Sequence, residues 1–464
     1  MDEPGARTIE SAAPSVRRTD PRDAALRVLT RHAEQMPDLH PLQPETRGMD
    51  PRDAALAHTL VDASLRRWLT LSYVVHAAGQ RDPESLEPKM RAALICGAAQ
   101  LMLLDRVPDH AAISETVGWA KRNIREKAGG MVNAILRRVA EARAERLRYW
   151  DDRSDAIPLS TGGALRMHRI RLPDDPHELL GIACSLPAGL VESWSRLDAD
   201  PGVLAMHTLV HPPTVCRCDD RSILQSDDRF TRHHSPSHAV YVGGREALAD
   251  TLREYPSIAV QDAGASHVVE GLDDEGEETV VDLCAGRGTK TRQLLGKFPD
   301  ARIIACEIDE DRLGSLRSVF AGEPRVEVVH ADQLAERGPG WADLVLTDVP
   351  CSNSGVLPRR TEARYRVRSR AMERLISTQR DIMRTAAGLV GHGGRVIYST
   401  CSLELEENQL QAQWGQRTLG LSLERERPVL PEGLPGGNPV GYRDGSYAAE
   451  MRVLDARTGD EASG

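Results

Sequence analysis

No stretch of this 464-residue chain approaches the ~18 consecutive apolar residues that a membrane-spanning helix needs. The opening segment, residues 1–19, is polar and lacks the apolar centre of a secretory signal, so it reads as a flexible tail on a cytoplasmic protein. Cys-X-X-Cys spacing is missing too. The eight cysteines (Cys96, Cys184, Cys216, Cys218, Cys284, Cys306, Cys351 and Cys401) are scattered, and Cys216-Arg217-Cys218 has the wrong spacing for a zinc knuckle. No metal is expected, and a chain of this size that reads as intracellular has no use for a disulfide framework. Each cysteine therefore defaults to a small buried hydrophobe unless its position argues otherwise. Overall basic charge is also lacking, with a formal net charge of −10. Phosphate binding depends on local clusters, however. One lies between Pro358 and Arg374, where Arg359, Arg360, Arg364, Arg366, Arg368, Arg370 and Arg374 stand against Glu362 and Glu373. Taken alone, it reads equally as a solvated helix face or an RNA-binding patch.

What is present is a chain with 40% hydrophobic and 28% charged residues, ordinary for a globular protein and long enough for two or three domains. Residues 20–148 read as all-helical. Asp20-Pro21 and Asp50-Pro51 each place an N-cap before a first-turn proline, within a repeated DPRDAAL heptapeptide. Leu60, Val61, Leu65 and Trp68 keep helical spacing, as do Leu94, Ala98, Leu101 and Met102. A further helix carries Ile113, Val117 and Ala120, with Gly129-Gly130 as its stop, and a last one runs from about Met131 towards Arg148. Residues 149–180 read as a linker with room for a short hairpin. Residues 181–270 read as a small α+β platform for RNA, and 456–464 as a disordered tail. From residue 271 to 455 the pattern changes to apolar strands alternating with helices: Thr279–Cys284, Ile303–Ile308, Val326–His330, Ala342–Val349 and Arg395–Thr400. That alternation is the mark of a parallel sheet covered on both faces, an α/β Rossmann-like domain.

The first of these strands runs into Cys284-Ala285-Gly286-Arg287-Gly288-Thr289-Lys290, a tight turn opening a helix, where a ligand can approach the backbone closely. A Walker A loop needs glycine directly before the lysine, where Thr289 stands, and a dinucleotide fingerprint needs a third glycine, where Thr291 stands. S-adenosylmethionine, which has no pyrophosphate to cradle, remains. Glu307 ends the second strand, roughly 20 residues past the glycines, in the place for a ribose ligand. Asp332 follows the third strand, in the place for the adenine amino group. Ordinary helix-capping acids would give the same pattern.

The fourth and fifth strands end in Asp348-Val349-Pro350-Cys351 and Ser399-Thr400-Cys401-Ser402. Strand ends line the ligand crevice of a doubly wound sheet, so Asp348, Cys351 and Cys401 should converge there. Two cysteines and an acid beside a methyl donor suit methylation of a pyrimidine at C5. That carbon is a poor nucleophile until a thiolate adds at C6, an acid at N3 stabilises the charge, and the C5 proton and the thiol later leave.

These motifs, with Glu406-Glu407-Asn408, closely resemble the RNA 5-methylcytosine methyltransferases of the Sun (Fmu, RsmB) type. The resemblance implies Cys401 as nucleophile, Cys351 as the residue assisting product release and Asp348 as the acid at the cytosine. It also implies that 284–290, Glu307, Asp332 and Asp348 hold S-adenosylmethionine. Val260-Gln261-Asp262 resembles the family's entry into the catalytic domain, and Gly441–Leu454 its closing hairpin. Residues 105–121 and 129–138 resemble the NusB-like RNA-binding domain of the rRNA-modifying branch, so the resemblance covers roughly 21–454. It implies an all-α NusB-like N-terminal domain, small-subunit rRNA as partner, and RNA contacts from Arg359, Arg360, Arg364 and Arg366. We see no strong oligomerisation signal and expect a monomer. Two departures stand out. The family's usual Ala-Pro-Gly-Gly-Lys turn is Gly286-Arg287-Gly288-Thr289-Lys290 here, and Pro358 and Thr361 interrupt its Arg-Arg-His-Pro stretch. Competing expectations are the same chemistry on tRNA, a non-catalytic antitermination module that binds RNA without the methyl donor, and a protein or small-molecule methyltransferase, which would need neither the second thiol nor the arginines.

Overall fold

The computed structural model describes residues 20–366 and 370–454. The tails expected at 1–19 and 456–464, and Arg368 of the arginine cluster, lie outside them.

The N-terminal region is a helical bundle: α1 (Pro21–Gln35), α2 (Pro51–Arg66), α3 (Trp68–Gly79), α4 (Pro88–Leu103), α5 (Asp109–Asn123) and α6 (Ala128–Ala142). The repeated heptapeptide starts α1 and α2 in the same way, with the Asp20 and Asp50 carboxylates accepting the Arg22 and Arg52 main-chain N–H groups at 2.8 and 2.9 Å. Helix α4 is buried on nearly every side and forms the centre of the bundle. Gly129-Gly130 begins α6 rather than ending α5. The reason is packing, because a Cβ on Gly129 would lie 2.7 Å from the Lys121 side chain.

The segment 149–180, expected to be a linker with room for a short hairpin, holds such a hairpin over 156–167 but is part of a sheet and carries a helix, which corrects the linker. Strands β1 (Arg143–Leu147), β2 (Ala156–Pro158) and β3 (Ala164–Met167) form a three-stranded antiparallel sheet in the order β1-β3-β2, followed by α7 (Pro176–Cys184). Helix α6 accordingly stops at Ala142, short of the expected Arg148. Helices α7, α8 (Ala188–Trp194) and α9 (Pro201–His207) share one continuous core with the bundle, through Leu179, Leu190 and Trp194. A second small sheet follows, with β4 (Val215–Arg217), α10 (Arg221–Ser226), β5 (Phe230–Arg232), β6 (His238–Tyr241), α11 (Leu248–Glu254) and β7 (Ala259–Val260) in strand order β5-β6-β4-β7.

After α12 (Ala263–Glu270) comes the large sheet. Its elements are β8 (Thr279–Asp282), α13 (Thr289–Lys297), β9 (Arg302–Glu307), α14 (Glu310–Val319), β10 (Val326–His330), α15 (Ala331–Ala335), β11 (Ala342–Asp348), α16 (Arg370–Leu389), β12 (Val390–Thr400), α17 (Gln409–Leu419), β13 (Leu421–Val429) and β14 (Ser446–Val453). The strand order is β10-β9-β8-β11-β12-β14-β13. The first five run parallel, and β14 inserts antiparallel between β12 and β13. This is a Rossmann-like methyltransferase sheet. The chain reverses its winding between β8 and β11, and the carboxyl ends on either side of that switch point frame the ligand crevice.

Candidate active site

Asp348 ends β11 and Ser399 pairs with it in register on β12, so the two cysteine loops leave the sheet side by side. Main-chain contacts then draw them together. Gly355 N–H donates to Cys401 O at 2.9 Å, and a Cβ at Gly355 would lie 2.8 Å from that oxygen, so a side chain there would push the loops apart. The result is a Cys351 Sγ to Cys401 Sγ distance of 3.2 Å. A buried carboxylate organises the rest: Glu407 accepts the Ser352 N–H at 2.9 Å, the Ser352 hydroxyl and the Gln379 amide. Ser402 bonds to both Ser352 and Ser354 at 3.1 Å, and Asn408 is held by Thr400 at 2.6 Å. A polar set this deeply buried and this fully partnered fixes one geometry for the loops.

The two thiols are not equivalent. Cys351 is buried and Cys401 half-buried. The hydrogen bond to Cys401, burial and the negative groups around it push the Cys351 thiol well above its ordinary range, so Cys351 keeps its proton at neutral pH. Cys96, Cys184, Cys216 and Cys306 are pushed up to about 12 by burial and are structural thiols. Cys284 is likewise pushed up by burial.

Asp348 is paired on both oxygens. Lys290 Nζ donates to one at 2.6 Å, and the Ser399 hydroxyl to the other at 3.1 Å. Burial opposes the Lys290 charge, and the adjacent Asp348 carboxylate more than offsets it, holding the ammonium above its ordinary range. Lys290, placed by sequence among the cofactor residues, therefore lies against the Asp348 carboxylate.

The glycine turn has the shape a methyl donor would need. Gly286 and Gly288 have φ of +57° and +84°. A Cβ at Gly288 would strike Phe320 at 2.5 Å, whereas Gly286 has nothing within 4 Å and opens onto free space. Ala285 N–H donates to Cys306 O at 2.9 Å and ties the turn to β9, while Arg287 and Thr289 are exposed. Glu307 ends β9 and turns one oxygen to the Ile308 and Asp309 N–H groups, both at 2.9 Å. Asp332 sits past the end of β10, in the first turn of α15, with its side chain 91% exposed. Asp282, at the end of β8, was not singled out by sequence. It is fully buried, pushed up to about 6 by that burial, and has one oxygen held by Thr291 at 2.7 Å and the other with no partner. An orphaned buried carboxylate oxygen under an open glycine turn fits the amino group of S-adenosylmethionine, so the residues present suit that cofactor. The signal in the sequence was an acid closing an apolar strand. Among the described residues, no group of three or more His, Cys, Asp or Glu could hold a metal.

The arginine cluster divides. Arg364 is completely buried and donates to the main-chain oxygens of Arg66 (2.7 Å), Thr208 (3.1 Å) and Cys184 (3.3 Å). It bolts the Pro-Cys loop to the helical region and cannot meet RNA, a correction to the sequence expectation. Arg359 pairs with Asp444 at 2.6 Å and Asp262 at 3.0 Å, yet the residue is exposed. Arg360 is exposed and Arg366 half-buried, and Arg370 and Arg374 are exposed at the start of α16.

Comparison with known proteins agrees with this architecture. Residues 269–418 match the family model described as 16S rRNA methyltransferase RsmB/F, and residues 19–141 match the NusB family. A Mycobacterium tuberculosis protein named "Putative methyltransferase MT1451" is 32% identical over 346 residues, 73% of each chain. Ribosomal RNA small subunit methyltransferase B of Escherichia coli is 27% identical over 410 residues, covering 83% of this chain and 87% of that one. The crystal structure of PH0851 shares the fold, with a TM-score of 0.65 at 20% identity over 93% of this chain and 98% of that one. The chain belongs to the RsmB/F family of 16S rRNA methyltransferases, with a NusB-family region ahead of its methyltransferase domain.

Proposed function

We propose that this enzyme methylates C5 of a cytosine in 16S rRNA, taking the methyl group from S-adenosylmethionine and forming a transient bond between Cys401 Sγ and C6 of the base. The observation that carries this reading is the pair of thiols 3.2 Å apart, one half-buried and one held neutral, beside a Lys290–Asp348 ion pair at the sheet's switch point. Protein or small-molecule methylation would use no second thiol there.

The residues divide the work as follows. Cys401 gives its thiol proton to solvent and adds to C6 as the thiolate, and the electron pair displaced from the ring collects at N3. The Lys290–Asp348 pair would face that edge, Lys290 passing a proton to N3 and leaving the Asp348 carboxylate as the pair's remaining charge. Residues 284–290 with Asp282, Glu307 and Asp332 would hold S-adenosylmethionine, whose chemistry would be that of a sulfonium methyl donor to the activated C5. Once Cys401 is a thioether, it no longer holds the Cys351 proton in place. Cys351 can then lose its proton to solvent and take the C5 proton in its place; the C6–S bond breaks, Cys401 leaves as a thiolate, and N3 returns its proton to Lys290. Arg360, Arg366, Arg370 and Arg374 would engage the RNA backbone near the loop, with the helical region and the 181–270 platform extending the contact.

Incubation with labelled S-adenosylmethionine and small-subunit rRNA, followed by nucleoside analysis, tests this reading. Label in 5-methylcytidine from rRNA supports it. Label in tRNA instead, or RNA binding with no transfer at all, would replace it with one of its rivals.

A further inference from the structure

Asn353 follows Cys351 by two residues and is one of five non-glycine residues with a left-handed backbone among the described ones, at φ +63°. Asparagine tolerates that conformation better than most residues, but glycine takes it freely. The conformation lets a single residue address both thiols. Its main-chain N–H faces the Cys351 sulfur. Its side-chain Nδ2 donates to Cys351 O at 2.8 Å, and its Oδ1 accepts from the Cys401 thiol at 3.3 Å. A main-chain carbonyl can only accept, so Nδ2 must face Cys351 O and Oδ1 must face Cys401. The residues on either side are fixed as well, Ser352 by Glu407 and Ser354 by Ser402 and the Leu403 N–H. The carboxamide therefore has one orientation, and it is spent on the nucleophile.

We propose that Asn353 is a positioning residue for Cys401, holding the sulfur in the single rotamer that places it beside Cys351 at the mouth of the two loops. A cysteine side chain otherwise samples three staggered wells, and addition at C6 uses only one of them. The proposal rests on Cys401 being the nucleophile.

The test is the single-turnover rate of RNA adduct formation in a Cys351→Ala background, which retains the Cys351 carbonyl, with small-subunit rRNA and S-adenosylmethionine. Asn353→Gly removes the carboxamide and relieves the backbone. A residue present only to make the turn would be replaced without loss. The positioning role predicts instead an adduct rate lower by about five- to ten-fold, the worth of one hydrogen bond plus misalignment, with KM for rRNA and binding of S-adenosylhomocysteine unchanged. Asn353→Asp keeps an acceptor oxygen but sets a carboxylate against Cys351 O and beside the thiol, so it should be no faster than the glycine variant. A glycine variant as fast as its parent would overturn the proposal, as would one whose binding of rRNA or S-adenosylhomocysteine falls as far as its rate. If Cys401→Ala still methylates, the assignment of the nucleophile has failed instead, and that result is read separately from the Asn353 series.

Discussion

Arg364→Met should destabilise the enzyme without touching its RNA affinity. The guanidinium is 0% exposed and bonds three main-chain oxygens from the end of α2, the end of α7 and the segment after α9. Burial draws it down to about 10, still charged at neutral pH. Each bond from a charged donor contributes about 1.5–3 kcal/mol, and a stranded buried carbonyl costs about 1–3 kcal/mol. Methionine fills much of the volume and avoids the cost of burying a charge, which offsets part of the loss. The net is about 4 kcal/mol, roughly a 10 °C fall in melting temperature for a domain of this size. Tyr365 works at the same joint, donating to Leu65 O and bonding Ser185 Oγ at 3.0 Å, so Tyr365→Phe should add a smaller loss in the same direction. Calorimetry and RNA titration would be run side by side. A variant that melts with the wild type but binds rRNA more weakly would return Arg364 to the RNA surface and refute the reasoning.

Gly288→Ala should lower stability the more, because its Cβ meets Phe320 and Leu316 in addition to the strain of a positive φ, whereas Gly286→Ala should cost only the left-handed strain of about 1–2 kcal/mol and lose affinity for S-adenosylhomocysteine. Melting curves and calorimetric titration separate the two. Burial lifts the Glu404 carboxyl from 4.5 to about 7, against the hydrogen bonds from Ser193 and Trp194. The folded state then keeps a proton that the unfolded chain releases, so wild type should lose stability as pH rises from about 4.5 to about 7 and Glu404→Gln should not. Melting at about pH 5 and about pH 8 checks the sign. Arg366→Ala with Arg370→Ala should weaken rRNA binding and reduce the slope of log affinity against log salt by about 2, leaving the melting temperature unchanged.

The catalytic half was legible because its signals are local and repeated. Five apolar strands alternate with helices, and each functional motif sits at a strand end, so topology alone brings Asp348, Cys351 and Cys401 together. The 149–180 segment was legible only as room for a hairpin, since strands of three to five residues carry too little alternation to stand out from a loop, and the sheet with β1 and helix α7 went unseen. The Asp-Pro pairs at 175–176 and 200–201, which cap α7 and α9 as Asp20 and Asp50 cap α1 and α2, were an unused clue. Composition misplaced Arg364 for a different reason. An arginine bound for RNA and one bound for buried carbonyls look alike in sequence, and only long-range packing against Arg66, Cys184 and Thr208 tells them apart. Lys290 against Asp348, and Asn353 between the thiols, are contacts across loops that no spacing rule predicts.

Covalent trapping tests the central claim most directly. Wild type, Cys351→Ala and Cys401→Ala would each be incubated with rRNA and S-adenosylmethionine and resolved on a denaturing gel, with mass mapping of the modified base. The account predicts a stable protein–RNA adduct in Cys351→Ala, and neither adduct nor 5-methylcytosine in Cys401→Ala. An adduct that persists in Cys401→Ala and disappears in Cys351→Ala would contradict it, exchanging the roles of the two thiols.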